Sequence, residues 1–156
     1  MQSVSGQLTQ VVIAKEDAVF WMDRFGQWYN ASGRFRHKKI IDHFNASIRK
    51  DEHGYFLEQI RDSVHEKVYF RYEDTPLFVV EATETDPVQL QLNTGEQLFL
   101  DPAQLFVHAD SLYLKRADER IKFSDRVLMR LSARLDFDGG SYYFRSGTER
   151  QRIPQQ

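Results

Sequence analysis

Glu73 and Asp74 set two carboxylates side by side directly ahead of Thr75-Pro76, within the stretch Val68–Val80. Paired carboxylates can divide general-acid and general-base work when their surroundings separate their proton affinities. Neighbouring residues of a strand point to opposite faces, so these two act together only if the chain turns between them. One reading has a carboxylate reaching a ligand or an arginine. The other has Asp74 bonding its own backbone ahead of Pro76, and the residue types favour that turn role. Cations supply a second candidate. In Arg34-Phe35-Arg36-His37-Lys38-Lys39, Arg36 and Lys38 stand near an expected helix start, where free N–H groups and the dipole favour a phosphate. The alternative is a solvated basic surface. Lys115-Arg116 places two more cations at the end of an apolar run. Trp28, Tyr55, Tyr142 and Tyr143 are candidates to stack on a base, with core packing as the competing role for each.

Other chemistries lack their residues. The chain has no cysteine, which removes disulfides, thiolate nucleophiles and Cys-ligated metal centres. His37, His43, His53, His65 and His108 contain no i, i+4 pair and no H-E-x-x-H. Ser47-Ile48-Arg49-Lys50 matches S-x-x-K, but the companion motifs of that class are missing. No cofactor or metal is expected. A formal net charge of −2 over 156 residues provides no global field for nucleic acid or anionic lipid. No apolar run approaches a membrane span, and Met1–Gln10 lacks the basic and apolar regions of a signal peptide. The expectation is a soluble, cytoplasmic protein.

The elements that would carry these residues follow from periodicity. Val19–Met22 and Gln27–Asn30 read as a hairpin turning at Gly26. From His37 to about Lys50, Ile40, Ile41, Phe44 and Ile48 make one helical stripe. Tyr55–Leu57 and Val68–Tyr72 read as strands, and Leu77–Val80 as a buried strand after the acidic bend. Val88–Leu92 with Glu96–Leu100 and Leu112–Arg116 with Arg120–Phe123 read as further hairpins. Asp101-Pro102 opens one helical turn. Ser124 is the expected N-cap of a helix carrying Val127, Leu128, Leu131 and Leu135, ended by Asp138-Gly139-Gly140. A strand Ser141–Phe144 and a polar tail, Arg145–Gln156, complete the chain. A repeat runs through this order: the stripe of the first helix recurs in the second at a constant offset of 87 positions (Ile40 to Val127), as does Tyr55-Phe56-Leu57 in Tyr142-Tyr143-Phe144. The expected division is an N-terminal segment 1–18, a first α+β half 19–81, a second half 82–146 and a tail 147–156.

Several of these motifs together resemble one family. Tyr72-Glu73-Asp74-Thr75-Pro76-Leu77-Phe78 is similar to the "V-E-D-x-P-F" segment of the bacterial domain family of unknown function numbered 1285. Gly26-Gln27-Trp28 resembles its "G-x-W" turn, Phe35 with Ile40, Ile41 and Phe44 its first helix, and Leu112–Arg116 its strand ending in "V-R". The match runs from about Val19 to Phe144. His37 stands where the family commonly has Arg, and Pro76-Leu77 where it has Pro-Phe, so the resemblance does not carry over a ligand contact made by that Arg. The resemblance implies a duplicated α+β core, a second half like pleckstrin-homology domains, a ligand site where the halves meet, and nucleotide-based signalling as context.

The expectation is therefore an α+β protein of internally duplicated hairpin–helix–strand units with antiparallel sheets. Its expected role is a non-enzymatic binding module for a small anionic ligand such as a nucleotide, bound in a signalling context at the junction of the two halves. Glu73, Asp74, Lys115, Arg116, Trp28, Tyr55 and Tyr142 are the ligand-binding candidates, and Arg36 and Lys38 the anion-binding ones. A protein–protein adaptor using exposed sheet edges is the alternative, and a hydrolase with a carboxylate base the third reading. Neither membrane nor nucleic acid is an expected partner.

Overall fold

The computed structural model describes residues 9–156; the first eight residues of the expected N-terminal segment lie outside it. Strands dominate and two short helices accompany them, a sheet-rich α+β composition. The chain divides into two compact units, one ending at Pro76 and the next beginning at Leu77. This boundary lies ahead of the expected 81/82 division. Strand Phe78–Thr83 bonds on both sides to strands of the second unit, so its ladder assigns it there.

In the first unit, β1 (Thr9–Ile13), β5 (Ile48–Asp51), β6 (Gly54–Arg61) and β7 (Val64–Tyr69) form a sheet in the order β1-β7-β6-β5. A second sheet combines β2 (Phe20–Met22), β3 (Trp28–Asn30), β4 (Gly33–Arg34) and β8 (Arg71–Tyr72) in the order β4-β3-β2-β8. The expected hairpin at Gly26 forms, with Met22 opposite Trp28 and Gly26 at φ +80°. Phe70, 2% exposed, separates β7 from β8, so the stretch read as one strand before the acidic bend serves two sheets. Helix α1 (Lys38–Ala46) sets Phe44 edge-on to Trp28, and Phe20 and Phe70 complete the aromatic cluster. The buried Trp28 indole donates to Asn45 Oδ1 at 2.8 Å, which satisfies the one polar atom of its ring.

The second unit has a six-stranded sheet, built from β9 (Phe78–Thr83), β10 (Gln89–Leu92), β11 (Gln97–Phe99), β12 (Leu105–His108), β13 (Ser111–Arg116) and β14 (Glu119–Phe123). Its order is β11-β10-β9-β14-β13-β12. Leu90, Leu92, Leu105 and Ile121 are at most 1% exposed and form its core with Val79 and Val127. Helix α2 (Asp125–Arg130) starts at Ser124, whose hydroxyl accepts the Val127 N–H, as the cap residue predicts. A three-stranded sheet follows: β15 (Leu135–Asp138), β16 (Ser141–Ser146) and β17 (Glu149–Ile153).

Four expectations are corrected. Both helices end early: Ile48 and Leu135, assigned to helical stripes, begin strands β5 and β15. The reason is arithmetic, because a residue four positions on keeps the same face in a helix and also in a strand. The polar tail is strand β17, with Ile153 1% exposed and the chain end bonding to Val107. The sheets are not purely antiparallel: β1 with β7, β2 with β8 and β9 with β14 pair in parallel.

Within each unit a helix leads into a two-stranded ladder of the same register. Ile48 faces Leu57 and Asp51 faces Gly54 in the first, and Leu135 faces Phe144 and Asp138 faces Ser141 in the second.

Candidate anion-binding site

The Gly26 turn is fixed by one carboxylate. Asp23 Oδ1 accepts the N–H groups of Phe25 and Gln27, and Oδ2 accepts the Tyr29 hydroxyl, each at 2.9 Å. The Tyr29 hydroxyl is accordingly raised above its ordinary pKa, first by that hydrogen bond. The turn holds Gln27 where its Oε1 accepts from Arg34 at 3.2 Å. Arg34 ends β4, and Phe35–His37 lead from it into α1.

A concavity of about 540 Å³ opens between Gly26–Trp28 and Arg34–Arg36, with Ile41 of α1 contributing to its wall. A second, of about 310 Å³, is lined by the same Arg34–Arg36 segment together with Ser32, His37 and Phe44. Arginines line both and, among the described residues, a carboxylate lines neither. Arg36 and His37 are exposed, with no hydrogen bond or ion pair from their side chains among the described residues. Helix α1 has no acid in its first turn and no side-chain cap at His37, so its amino end keeps its positive character. Lys38 differs: its ammonium pairs with Asp42 at 2.6 Å, an exposed i, i+4 bridge. Such a bridge contributes about 0.3–0.5 kcal/mol, little enough to yield to a stronger anion.

The other candidates have different surroundings. Trp28 and Tyr55 are buried, 1% and 8% exposed, so they do not offer ring faces to a base; Tyr55 meets Tyr72 edge-on at 5.7 Å. Glu73 is exposed, and its Oε1 accepts the Arg24 N–H at 3.0 Å, a contact that ties it to the Gly26 hairpin. Asp74 is half-buried in the bend ahead of the buried Thr75-Pro76 pair. In the second unit Arg116 is held by both Glu96 and Glu119. Partial burial disfavours its charge, but the two carboxylates outweigh that and raise its pKa. Lys115 is exposed on β13, opposite Arg120. Tyr142 packs against Phe137 at 4.7 Å on the wall of a small apolar cavity, and Tyr143 carries the Arg150 guanidinium over its ring.

Sequence reasoning located the cations of the first-unit site but missed Gln27 and Ile41 as its opposing walls. The two-residue return from Asn30 to Gly33 was the available signal, because it brings Arg34 back beside the Gly26 turn.

No family model and no curated protein matches this sequence. Two solved structures share its fold. One is a DUF1285 family protein from Silicibacter pomeroyi DSS-3, 13% identical, with a TM-score of 0.61 over 97% of this chain and 86% of that one. The other is a DUF1285 family protein from Shewanella baltica OS155, 20% identical, with a TM-score of 0.52 over 74% of this chain and 91% of that one. At these identities the likeness is one of fold.

Proposed function

We propose that this chain is a non-enzymatic binding module whose first unit takes a small anionic ligand, a nucleotide being the fitting class. The observation that carries this reading is the Arg34–Arg36 segment, flanked by two concavities lined with cations and no carboxylate among the described residues. An Arg fork binds phosphate oxygens in bidentate fashion, and the amino end of α1 adds about 0.3–1 kcal/mol for an anion beside it. The larger concavity has the volume of a small-molecule site, and Phe35 and Ile41 supply apolar surface for a base. Nucleotide-based signalling is the context the family resemblance implies. The equal ladder registers after α1 and α2 support the reading of the units as an internal duplication.

The test is thermal denaturation with ATP, GTP or inorganic phosphate at millimolar concentration, for the wild type and Arg36→Ala. A ligand at 100 times its Kd adds about 2.7 kcal/mol, which for a chain of this length raises Tm by about 5–10 °C. The expected result is a nucleotide-dependent rise that Arg36→Ala abolishes. No rise with any of the three, or an equal rise in the variant, would overturn the reading.

The adaptor reading is favoured by one observation. Strand β1, T-Q-V-V-I, lies at a sheet edge among the described residues, has no charge or proline and leaves Val12 57% exposed, and such an edge is open to strand addition. A monomeric sizing profile together with no partner in a native pull-down counts against it.

A further inference from the structure

The two faces of the sheet β4-β3-β2-β8 differ in character, and its register separates them. Met22 pairs with Trp28, and both are buried on the inner face. Strand alternation turns the neighbouring residues the other way. On the outer face Arg34 pairs with Tyr29, Tyr29 with Trp21, and Trp21 with Arg71. Each strand thus gives one residue to a row that crosses the sheet, Arg34–Tyr29–Trp21–Arg71. With strands about 4.8 Å apart, the row spans about 14 Å.

Two aromatic rings lie between two guanidinium groups. The rings of Trp21 and Tyr29 are parallel, with 6° between their planes and 6.1 Å between centroids. Tyr29 is held by its hydroxyl bond to Asp23, while Trp21 is 40% exposed and takes no part in the aromatic core. Arg34 donates to the neutral Gln27 amide and so keeps its charge unpaired there. Arg71 is exposed and makes no side-chain hydrogen bond or ion pair among the described residues.

The charge around the row is locally positive, although the chain as a whole is not. From Ala18 to Lys39 the cations are Arg24, Arg34, Arg36, Lys38 and Lys39, against Asp23 as the one acid. Both Asp23 oxygens are engaged by the hairpin and Tyr29. Glu73, two positions beyond Arg71, adds a second carboxylate, whose Oε1 is engaged by the Arg24 N–H.

We propose that this outer face binds single-stranded nucleic acid, with bases stacked on Trp21 and Tyr29 and phosphates at Arg34 and Arg71. Every base has a π-face, so an aromatic row accepts bases without reading their edges, and guanidinium groups suit the phosphates between them. A duplex hides its base faces, so the row selects single strands. Trp21, Tyr29 and Arg71 line neither concavity of the proposed anion site. Arg34 is common to both, and either reading can fail without the other.

The probe is fluorescein-labelled hexathymidylate, titrated with the full chain at low salt and followed by anisotropy. Its control is the abasic hexamer, which has the same phosphates and no bases. The expected result is saturable binding of hexathymidylate that is clearly tighter than that of the abasic backbone. Trp21→Ala should weaken it about 5- to 150-fold, the loss of one stacked base. Trp21→Phe keeps a ring and should retain most of the affinity. Arg71→Ala removes a phosphate contact without touching the core, and should lower the salt slope of log Kd by about 0.7. Equal binding of the two hexamers would mean attraction to phosphate alone and overturns the proposal. Absence of saturable binding, or unchanged affinity in both alanine variants, overturns it as well.

Discussion

Asp51 Oδ2 receives the Tyr69 hydroxyl at 2.6 Å and the Lys67 ammonium at 3.1 Å, while Oδ1 accepts the His53 N–H. The Tyr69 bond is the largest influence and holds the carboxyl at about 2, below its ordinary 3.8, with desolvation opposing. The same bond pushes the Tyr69 hydroxyl up to about 12. The signs follow by linkage. A lowered carboxyl stabilises the fold above its ordinary pKa, and that contribution is lost as pH falls from about 4 through 2. A raised phenol stabilises the fold below its ordinary value, and that contribution is lost as pH climbs from about 10 through 12. Tyr69→Phe should therefore show a shallower fall of Tm between pH 4 and 2 than the wild type. An unchanged acid slope in melting experiments would remove the bond from the acid sensitivity. Partnership also separates Arg116 from Arg36: two carboxylates occupy the first, and none pairs with the second among the described residues. The sequence could not distinguish them, because both are arginines near apolar runs and their neutralisation depends on residues up to 20 positions away.

At the scale of elements, the turns were the most legible feature. Gly26 and Gly95 adopt the positive φ that their hairpins need, and Asp101, Pro102 and Ser124 cap or open the helical turns expected of them. Gly54, where β6 begins, sits at φ +117° with nothing within 4 Å of the position a Cβ would take. Gly54→Ala therefore tests the backbone alone. It should cost about 1–3 kcal/mol in chemical denaturation with the native far-ultraviolet spectrum retained; no loss would mean the turn relaxes freely. Helix ends were illegible for the opposite reason. Ile48 and Leu135 satisfy helical and strand patterns alike, and only the ladders to Leu57 and Phe144 decide between them.

At the scale of the whole molecule, the least promising segment by composition proved structural. Glu149-Arg150-Gln151-Arg152 is exposed throughout, but its backbone completes the β16 ladder and delivers Ile153 to a fully buried position. Ile153→Ala should cost about 2–5 kcal/mol, measured by urea unfolding. A cost near zero would mean that the last strand contributes no packing. No helix among the described residues is long and apolar enough to cross a membrane.

By itself the sequence determined the local features: hairpin turns, caps, apolar strands and the basic run ahead of α1. Each of these depends on interactions within a few residues, and their physics is written in residue type and spacing. Tertiary structure alone decided which strands pair in parallel, that the polar tail is a strand, and that Trp28 and Tyr55 are core. It also decided that Glu73 anchors a hairpin 49 positions away. Backbone hydrogen bonds are blind to side-chain identity, and ion pairs form between whichever charges the fold brings together. That is why the charged residues were visible in the sequence, while their partners emerged only once the chain was folded.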